Sequence, residues 1–339
     1  MPDDIDVATS GRTGRSAQGG PAAWRPADLT ADDWTVALDD VQRAAIVAAV
    51  EQAQRNGMTL DELATAPCSA FALGDLEPHV AAWSDVLASG RGFLLLRRFP
   101  IDLLDEQQVE LAYMGLGLHL GRPVSQNANG DLLTHVRDER LPTGVKARLY
   151  RTRERQDFHT DGADIIGLLC LHRARSGGES QIVSSLTLHD EILRRRPDLL
   201  EELYAPMYWD RQGEEAPGEQ PWFRLAPLHD IDGVPRLFYL GWYIREAQRH
   251  ADVPRLTSAQ LEAMALLESL ANDPAFHLEM AFEPGDVQLL NNGRILHARE
   301  AYEDDDDPAE RRHLLRLWLA AHRFASLENG LRGGIATPA

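Results

Sequence analysis

The stretch Phe158-His159-Thr160-Asp161-Gly162 places a histidine and an aspartate on either side of one threonine, just before an apolar run. A second stretch far downstream, Asn291-Asn292-Gly293-Arg294-Ile295-Leu296-His297-Ala298-Arg299, contains another histidine. Two imidazoles and one carboxylate are the ligand set of the facial triad, which holds non-haem Fe(II) and leaves coordination positions open. The two stretches therefore make His159, Asp161 and His297 candidate metal ligands.

The spacing of His159 and Asp161 is not distinctive by itself. A chain of this composition has roughly two histidine-x-acid triplets by chance, and this chain has four. The first triplet differs in its setting, because residues 165–171 are apolar and Ser176-Gly177-Gly178 follows them. That order predicts a loop that leads into a buried strand and then a turn.

The other three triplets have structural explanations. His189 lies in a helical pattern with Thr187 and Asp190 as candidate caps, which predicts a solvated helix face. His250 follows a predicted helix end, and His277 alternates along a predicted strand so that it points outward. We therefore expect none of these three histidines to bind a metal.

Composition sets limits on the class of protein. The chain has 339 residues and is 44% hydrophobic, which is enough for a large globular core. Its formal charge of -19 repels nucleic acid and anionic membranes, so neither is an expected partner. Cys68 and Cys170 lie in apolar surroundings, there is no apolar segment near the start, and no apolar run reaches about 18 residues. These features predict a cytoplasmic protein.

Four parts of the chain differ in composition and in the spacing of their apolar residues. We predict a disordered tail over residues 1–23, a helical region packed on the core over 24–88, a main domain over 89–325 and a C-terminal tail over 326–339. Apolar spacing predicts helices over 39–56, 79–88, 105–120 and 256–270, and strands over 92–100, 165–171, 276–282 and 286–290. The loops expected to shape a pocket are residues 122–137 and 205–250.

The order of these elements indicates the fold class. Short strands dominate the second half, helices dominate the first, and there is no regular βαβ alternation. We therefore expect a mainly β protein with flanking helices and a sandwich or jelly-roll core. The acidic run over residues 303–307 is predicted to be a solvated loop, because it lacks the glycine and the spaced oxygens of a calcium loop.

Several motifs in order resemble the taurine dioxygenase and clavaminate synthase-like branch of the Fe(II)/2-oxoglutarate-dependent oxygenases. The resemblance covers residues from about 90 to 320. Its motifs are the strand at 92–100, the His-Thr-Asp stretch, the Gly-Gly-Glu-Ser turn at 177–180, Glu-Pro-Gly-Asp at 283–286, residues 291–297 and Arg-Arg-His-Leu-Leu-Arg-Leu-Trp at 311–318. It implies a double-stranded β-helix core with His159, Asp161 and His297 as iron ligands.

The resemblance also implies binding residues. Arg312, fifteen positions after His297, is expected to pair with the distal carboxylate of 2-oxoglutarate, assisted by the Ser180 hydroxyl. A guanidinium fork matches a carboxylate in geometry and charge. Arg316 resembles the position that binds an anionic group of the substrate in parts of the family. The substrate-facing loop is expected to contribute Gln126 and Asn127.

The implied activity uses Fe(II), 2-oxoglutarate and O2 to oxidise a small, anionic organic substrate, with release of succinate and CO2. Halogenating relatives lack the carboxylate that Asp161 supplies here, so hydroxylation is favoured, with desaturation and ring closure left open. A homo-oligomer is compatible with the sequence, and the identity of the substrate stays open.

Two other interpretations use the same residues. A jelly-roll hydrolase or binding protein could hold zinc with the two histidines and the carboxylate, and a degenerate module would bind without catalysis. Arg311, Arg312 and Arg316 could also be charges on the rim of a strand, with His297 a hydrogen-bonded histidine near a turn. Arg312 distinguishes the oxygenase from the zinc protein, because a zinc hydrolase needs no buried cation besides its metal.

Overall fold

Two β-sheets lie face to face in this protein, and helices cover the outer face of each sheet. The computed structural model describes residues 14–127, 129–140, 148–215, 217–231 and 233–324. The layers from one side to the other are helices, a larger sheet, a smaller sheet and helices. This arrangement is the mainly β architecture with flanking helices that the sequence predicts.

The strands of the described residues are numbered in chain order. They are β1 (Thr35–Ala37), β2 (Phe93–Arg97), β3 (Gly121–Pro123), β4 (Leu133–Val136), β5 (Gln156–His159), β6 (Ile165–His172), β7 (Ser176–Gly177), β8 (Ser180–Ser184), β9 (Met207–Asp210), β10 (Trp222–Leu225), β11 (Leu228–Ile231), β12 (Val234–Leu237), β13 (His277–Met280), β14 (Val287–Asn291), β15 (Ile295–Arg299), β16 (Tyr302–Glu303) and β17 (His313–Ala321).

The helices of the same ranges are α1 (Ala31–Trp34), α2 (Asp40–Arg55), α3 (Leu60–Thr65), α4 (Glu77–Ser89), α5 (Glu106–Leu118), α6 (Ser185–Arg195), α7 (Pro197–Tyr204), α8 (Gly241–Ala247) and α9 (Ser258–Ala271). Short 3-10 turns occupy Pro26–Asp28, Cys68–Ala70, Gly74–Leu76, Leu149–Arg151 and Pro308–Glu310. Within the described ranges, no helix combines the length and the apolar character that crossing a membrane would require.

The larger sheet has the strand order β1-β2-β14-β6-β17-β3, and β4 also pairs with β17. The pair β1 and β2 is parallel, and the remaining pairs are antiparallel. Strand β2 reads as a continuous apolar run because both of its faces are covered. Leu94 and Leu96 pack toward the helices, while Phe93 and Leu95 face the smaller sheet.

The smaller sheet has the order β13-β8-β15-β5, and all of its pairs are antiparallel. Its outer face packs against α6, α7 and α9. Along β15, Leu296 and Ala298 pack toward those helices, whereas Ile295 faces the larger sheet. Because side chains alternate along a strand, His297 and Arg299 share the inward face with Ile295.

Most of the predicted elements are confirmed with shifts of a few residues at their ends. The predicted helices correspond to α2, α4, α5 and α9, and the predicted strands to β2, β6, β13 and β14. The turn at residues 283–286 is also present, and Gly285 adopts a φ of 86°, which favours glycine. A Cβ at this glycine would lie 2.9 Å from the Phe99 carbonyl oxygen, so the turn is also closely packed.

The predicted N-terminal tail is partly wrong. Residues 14–23 lie against the body of the protein: the Arg15 Nε donates to Glu201 at 2.8 Å, and the Gln18 amide donates to Asp190 at 2.8 Å. Composition missed this because polar contacts with α6 and α7, rather than apolar side chains, hold most of the segment. Residues 1–13 and the predicted C-terminal tail over 326–339 lie outside the described residues. The boundary at residue 89 stays a prediction, although β1 joins the larger sheet from before it.

The prediction for His189 is also wrong. Helix α6 begins after Ser184, whose hydroxyl accepts from the Thr187 amide, so neither Thr187 nor Asp190 is the cap. His189 is buried and packs edge-on against Tyr204. The helix lies between the smaller sheet and α7, and the N-terminal segment covers it further, so more than one of its faces is shielded from solvent.

Candidate active site

His159, Asp161 and His297 come together at one end of the space between the sheets. His159 ends β5, His297 lies in β15, and the two residues are direct partners in the antiparallel pairing of these strands. Asp161 follows β5 by two residues. The strand pairing therefore places two histidines side by side although 138 positions separate them in the sequence.

The three side chains point toward a common centre. The Asp161 Oδ1 lies 3.8 Å from His159 Nε2, and its Oδ2 lies 3.6 Å from His297 Nε2. One ligand atom from each residue falls within 4.8 Å of the others, and all three residues are buried. Two imidazole nitrogens and a carboxylate oxygen at these separations can bind one metal ion, and this donor set fits Fe(II).

The His159 ring is oriented for metal binding. Its Nδ1 donates to the Asp157 carbonyl oxygen at 2.8 Å, which leaves the Nε2 lone pair facing the centre. The Gln156 side-chain nitrogen lies 2.9 Å from that Nε2. Burial, together with the neighbouring His297 side chain, lowers the pKa of His159 to about 3. The imidazole is therefore neutral, which is the form that ligates a metal.

The Asp161 carboxylate has its own supports. The Trp318 indole Nε1 donates to Oδ2 at 3.1 Å, and the Asp161 amide donates to the Asn292 side-chain oxygen at 2.9 Å. The Asn292 amide group donates in turn to the Ala163 carbonyl at 2.7 Å. Burial alone would raise the pKa of Asp161, but Arg316 and His297 more than offset this, so its pKa lies below the usual value. The side chain is held as a carboxylate.

Arg316 lies on the inward face of β17 beside the triad. Its Nε donates to the Gln126 side-chain oxygen at 2.8 Å, and its Nη1 lies 3.6 Å from Asp161 Oδ2. The guanidinium carbon is 4.8 Å from the centre of the Tyr150 ring and 4.9 Å from that of Trp318. Two aromatic rings and one amide therefore hold a buried cation next to the candidate metal site.

Gln126 and Asn127, which were predicted to contact substrate, already have hydrogen-bond partners within the protein. The Gln126 amide nitrogen donates to the carbonyls of Leu132 and Arg316, and its oxygen accepts from Arg316, so this side chain holds Arg316 in place. Asn127 donates to Asp131 at 2.7 Å and accepts from backbone amides of the same turn. Asn127 stabilises its own loop, because an Asx side chain bonds most readily to the backbone nearby.

Arg312 lies just before β17 and is buried. Its backbone amide donates to Asp304 at 2.9 Å, and its guanidinium carbon is 5.0 Å from the centre of the Tyr302 ring. Its Nη1 is buried and has no hydrogen-bond partner among the described residues. Burial lowers the pKa of this side chain. A buried cation with an unused donor fits an anionic ligand.

The segment around Ser180 forms the opposite wall. A Cβ at Gly178, where φ is 78°, would lie 3.1 Å from the Arg312 Nε, so glycine lets that side chain pass. The Ser180 hydroxyl donates to the Gln288 side-chain oxygen at 3.1 Å. Ser180 and Gln288 face each other across the two sheets, and Ser180 retains lone pairs and a rotatable proton for a ligand.

Sequence reasoning missed several residues at this site. Trp318, Asn292 and Arg299 stood inside the quoted stretches without a role, Trp242 fell within the predicted pocket loop 205–250, and Gln156 was not singled out. The Trp242 ring centre lies 5.3 Å from that of His159. The sequence did hold a signal for two of them. Trp318 is two residues from Arg316, and Arg299 is two residues from His297, so each shares a strand face with a residue already predicted to lie at the site.

The remaining triplet histidines lie in other surroundings. His250 Nε2 is 2.8 Å from the buried Asp210 carboxylate, and His277 Nδ1 donates to the Ala271 carbonyl at 3.0 Å. Among the described residues, the His159, Asp161 and His297 group is the cluster whose ligand atoms are close enough to share a metal ion.

The chain has recognisable relatives. The model of the taurine catabolism dioxygenase TauD, TfdA family matches residues 61–318. The FR-33289 synthase of Streptomyces rubellomurinus (strain ATCC 31215) is 34% identical over 335 residues, which cover 96% of this chain and 93% of that protein. The taurine hydroxylase-like protein SAT17 of Stachybotrys chartarum (strain CBS 109288 / IBT 7711) is 30% identical over 317 residues, covering 87% and 77%.

Solved structures share the fold. The non-haem iron oxygenase OrfP in complex with Fe and alpha-ketoglutaric acid superimposes with a TM-score of 0.64 at 14% sequence identity. The superposition covers 84% of this chain and 93% of that one. At this identity the likeness concerns the fold, and it agrees with the double-stranded β-helix core expected from the sequence.

Proposed function

This chain belongs to the taurine catabolism dioxygenase TauD, TfdA family and is an Fe(II)/2-oxoglutarate-dependent oxygenase, and from that premise we propose roles for its site residues. His159, Asp161 and His297 bind the iron. The observation that carries this assignment is the convergence of their ligand atoms within 4.8 Å beside two buried arginines. The metal and 2-oxoglutarate, when bound with O2, supply the oxidation of a C–H bond and yield succinate and CO2.

The protein's own residues position and shield the reactants. The Asp157 carbonyl and the Trp318 indole orient the ligands His159 and Asp161. Such outer contacts fix the tautomer and the direction of a ligand, and so tune the metal. The burial of all three ligands excludes water from the centre.

Arg312 and Ser180 bind the distal carboxylate of 2-oxoglutarate. The unused Nη1 donor of Arg312 supports this role, because a buried guanidinium nitrogen without a partner is costly. The pairing of a charged fork with a hydroxyl satisfies several lone pairs of one carboxylate. This feature also disfavours the zinc alternative, in which Arg312 would remain a buried cation without a counter-charge.

Arg316 binds an anionic group of a small organic substrate, and Gln126 holds it in position. Its Nη atoms donate no hydrogen bond within the described ranges, while its Nε is committed to Gln126. A protein with a net charge of -19 does not attract anions at long range, so an acidic substrate needs a specific local cation. The family description and the name of the SAT17 relative both refer to taurine, a small sulfonate, which agrees with such a substrate class.

Succinate release is the direct test of this function. The iron-loaded protein should release succinate from 2-oxoglutarate when carboxylates, sulfonates and other small acids are screened as substrates. Once a substrate is found, its neutral amide or ester should react much more slowly, because an unpaired buried guanidinium is costly. The Arg316→Gln variant should lose the preference for the acid, whereas Arg173→Gln, at an exposed arginine, should keep it. Equal turnover of both analogues, unchanged in Arg316→Gln, would remove Arg316 from the substrate site.

Two coarser features accompany this function. We propose a cytoplasmic location, because both cysteines are free thiols: Cys68 is exposed, and Cys170 is buried with its pKa raised by burial to about 12. We propose that the partner is a small molecule rather than nucleic acid or membrane. Homo-oligomer formation stays a prediction that sedimentation can check.

A further inference from the structure

A second buried arginine lies at the Arg312 end of the cleft. Arg299 is 6% exposed, and its Nε and Nη1 have no hydrogen-bond partner among the described residues. Its Nη2 donates to the carbonyls of Leu149, at 3.3 Å, and Glu154. One corner of the guanidinium is thus fixed to the backbone, and the other two nitrogens remain available.

The strand register directs Arg299 toward the cosubstrate residues. Arg299 follows His297 by two positions on β15, so both side chains face the space between the sheets. In the neighbouring strand, Ser180 is the direct antiparallel partner of Arg299. Opposite residues of an antiparallel pair project from the same face a few ångströms apart. Arg299 therefore lies between the metal ligand His297 and the proposed carboxylate site.

The two arginines share one aromatic neighbour. The guanidinium carbons of Arg299 and Arg312 lie 5.1 and 5.0 Å from the centre of the Tyr302 ring. The Tyr302 hydroxyl is beside Arg312, but it is buried and makes no hydrogen bond of good geometry within the described part of the chain. Both guanidinium groups are buried, so two like charges lie against one ring in a place shielded from solvent.

Asp138, Glu154 and Asp304 lie near this pair, but none of these described carboxylates forms an ion pair with either guanidinium. Asp304 uses Oδ1 to accept from the Arg312 backbone amide, and no ion pair joins its carboxylate to either guanidinium in the described residues. Two like charges and a hydroxyl with unused donors in one buried place fit an anion that arrives with a ligand.

We propose that Arg299 is a second guanidinium that binds the distal carboxylate of 2-oxoglutarate, together with Arg312 and the Tyr302 hydroxyl. The proposal rests on the proposed function, because it concerns the cosubstrate of that same site. It assigns Arg299 a binding role that goes beyond its contacts to the backbone of Leu149 and Glu154.

A matched pair of ligands tests this role. 2-Oxopentanoate has the chain length and the keto acid group of 2-oxoglutarate but lacks the distal carboxylate. Binding of both is measured by anaerobic calorimetry on the Fe(II)-loaded protein. Arg299→Gln should weaken 2-oxoglutarate by at least tenfold and leave 2-oxopentanoate within twofold of the parent. Arg299→Lys, which retains the charge, should recover part of the loss, and Arg173→Gln should change neither ligand.

Each other result counts against the proposal. If Arg299→Gln weakened the binding of both ligands equally, Arg299 would have only a structural role, through its hydrogen bonds to residues 149–154. If it weakened the binding of neither ligand, Arg299 would not belong to the site. If Arg299→Gln does not fold, Tyr302→Phe provides the same comparison and should weaken binding of 2-oxoglutarate alone, by about fivefold for one hydroxyl. Unchanged binding of both ligands in that variant would overturn the proposal that Tyr302 and the two arginines bind the carboxylate together.

The failure of this inference can be told apart from failure of the proposed function. If Arg312→Gln loses 2-oxoglutarate while Arg299→Gln does not, the oxygenase assignment stands and the role of Arg299 falls. If the parent protein, loaded with Fe(II), does not bind 2-oxoglutarate, both fall.

Discussion

The two ends of the inter-sheet cleft differ in how their polar groups are satisfied. At the triad end, the Asp157 carbonyl, Trp318 and Asn292 provide partners for His159 and Asp161, and His297 Nδ1 is the triad atom without one in the described residues. At the arginine end, nitrogens of both Arg299 and Arg312 have no hydrogen-bond partner in the part of the chain that the structure describes. In the proposed assignment, the geometry of the metal site is therefore built in advance, whereas the cosubstrate site is incomplete until an anion binds.

This difference means that the two ends should respond to different ligands. Substitutions at the triad end should change metal affinity, whereas substitutions at the arginine end should change 2-oxoglutarate affinity and spare the metal. A variant that alters both equally would show that the ends are one coupled unit.

The largest effect is expected for His297→Ala. Loss of one of three ligands should weaken Fe(II) binding by more than about 100-fold, since outer partners alone are worth roughly 10- to 100-fold. Anaerobic metal titration measures it. His79→Ala, at an exposed histidine, should bind iron like the parent. A His297→Ala protein with parental iron affinity would remove this residue from the triad.

Arg312→Gln should come next. A charge-assisted pair in a shielded site is worth about 2 kcal/mol, so 2-oxoglutarate should bind about 30-fold more weakly, with Fe(II) affinity unchanged. Calorimetry with the metal-loaded protein measures it. Arg311 is the matched control, because its guanidinium donates to the carbonyls of Asp305 and Asp306. If Arg311→Gln instead lost affinity for 2-oxoglutarate, the carboxylate would be bound by Arg311 rather than by Arg312.

Trp318→Phe removes one hydrogen bond to the carboxylate ligand and preserves the bulk of the ring. Fe(II) affinity should fall by about tenfold, the lower range for an outer partner, while 2-oxoglutarate affinity at saturating metal stays parental. Trp222→Phe is the control, since that indole donates to Asp252 at the surface. If Trp318→Phe weakened 2-oxoglutarate and not iron, the division of the cleft into two ends would be wrong.

The smallest effect is expected for Ser180→Ala. The hydroxyl already donates to Gln288, and one neutral contact is worth about 1 kcal/mol, so 2-oxoglutarate should bind about fivefold more weakly. The same calorimetric titration detects this change, with Ser176→Ala as an exposed control. A loss as large as that of Arg312→Gln would mean that Ser180 carries more of the carboxylate than its existing bond allows.

The sequence predicted the elements whose pattern is local. The runs of β2 and β6 are apolar on both faces because both faces of the larger sheet are covered, and this signal can be read without knowing the partner strands. The candidate ligands could be found because a fixed spacing and its setting marked them. These features can be predicted without knowing the register of any strand.

The roles that depend on register could not be predicted. Arg299 gains its importance from lying opposite Ser180, and Trp318 from reaching Asp161 across the loop. Gln126 was expected to contact substrate, yet its amide is used to hold Arg316, which depends on a pairing 190 residues away in the sequence. The N-terminal segment was misjudged for the same reason, because its partners lie on α6 and α7.

The pairing of β5 with β15 has a consequence for how the enzyme is made. It closes a loop of more than a hundred residues, and such long-range strand pairing forms slowly because its chain entropy is lost before its contacts are gained. We therefore expect the three proposed iron ligands to come together late in folding. Because the ligand atoms converge only in the folded structure, iron is expected to bind the folded protein and to stabilise it by mass action. A newly synthesised chain should thus mature in two separate stages, first shape and then metal.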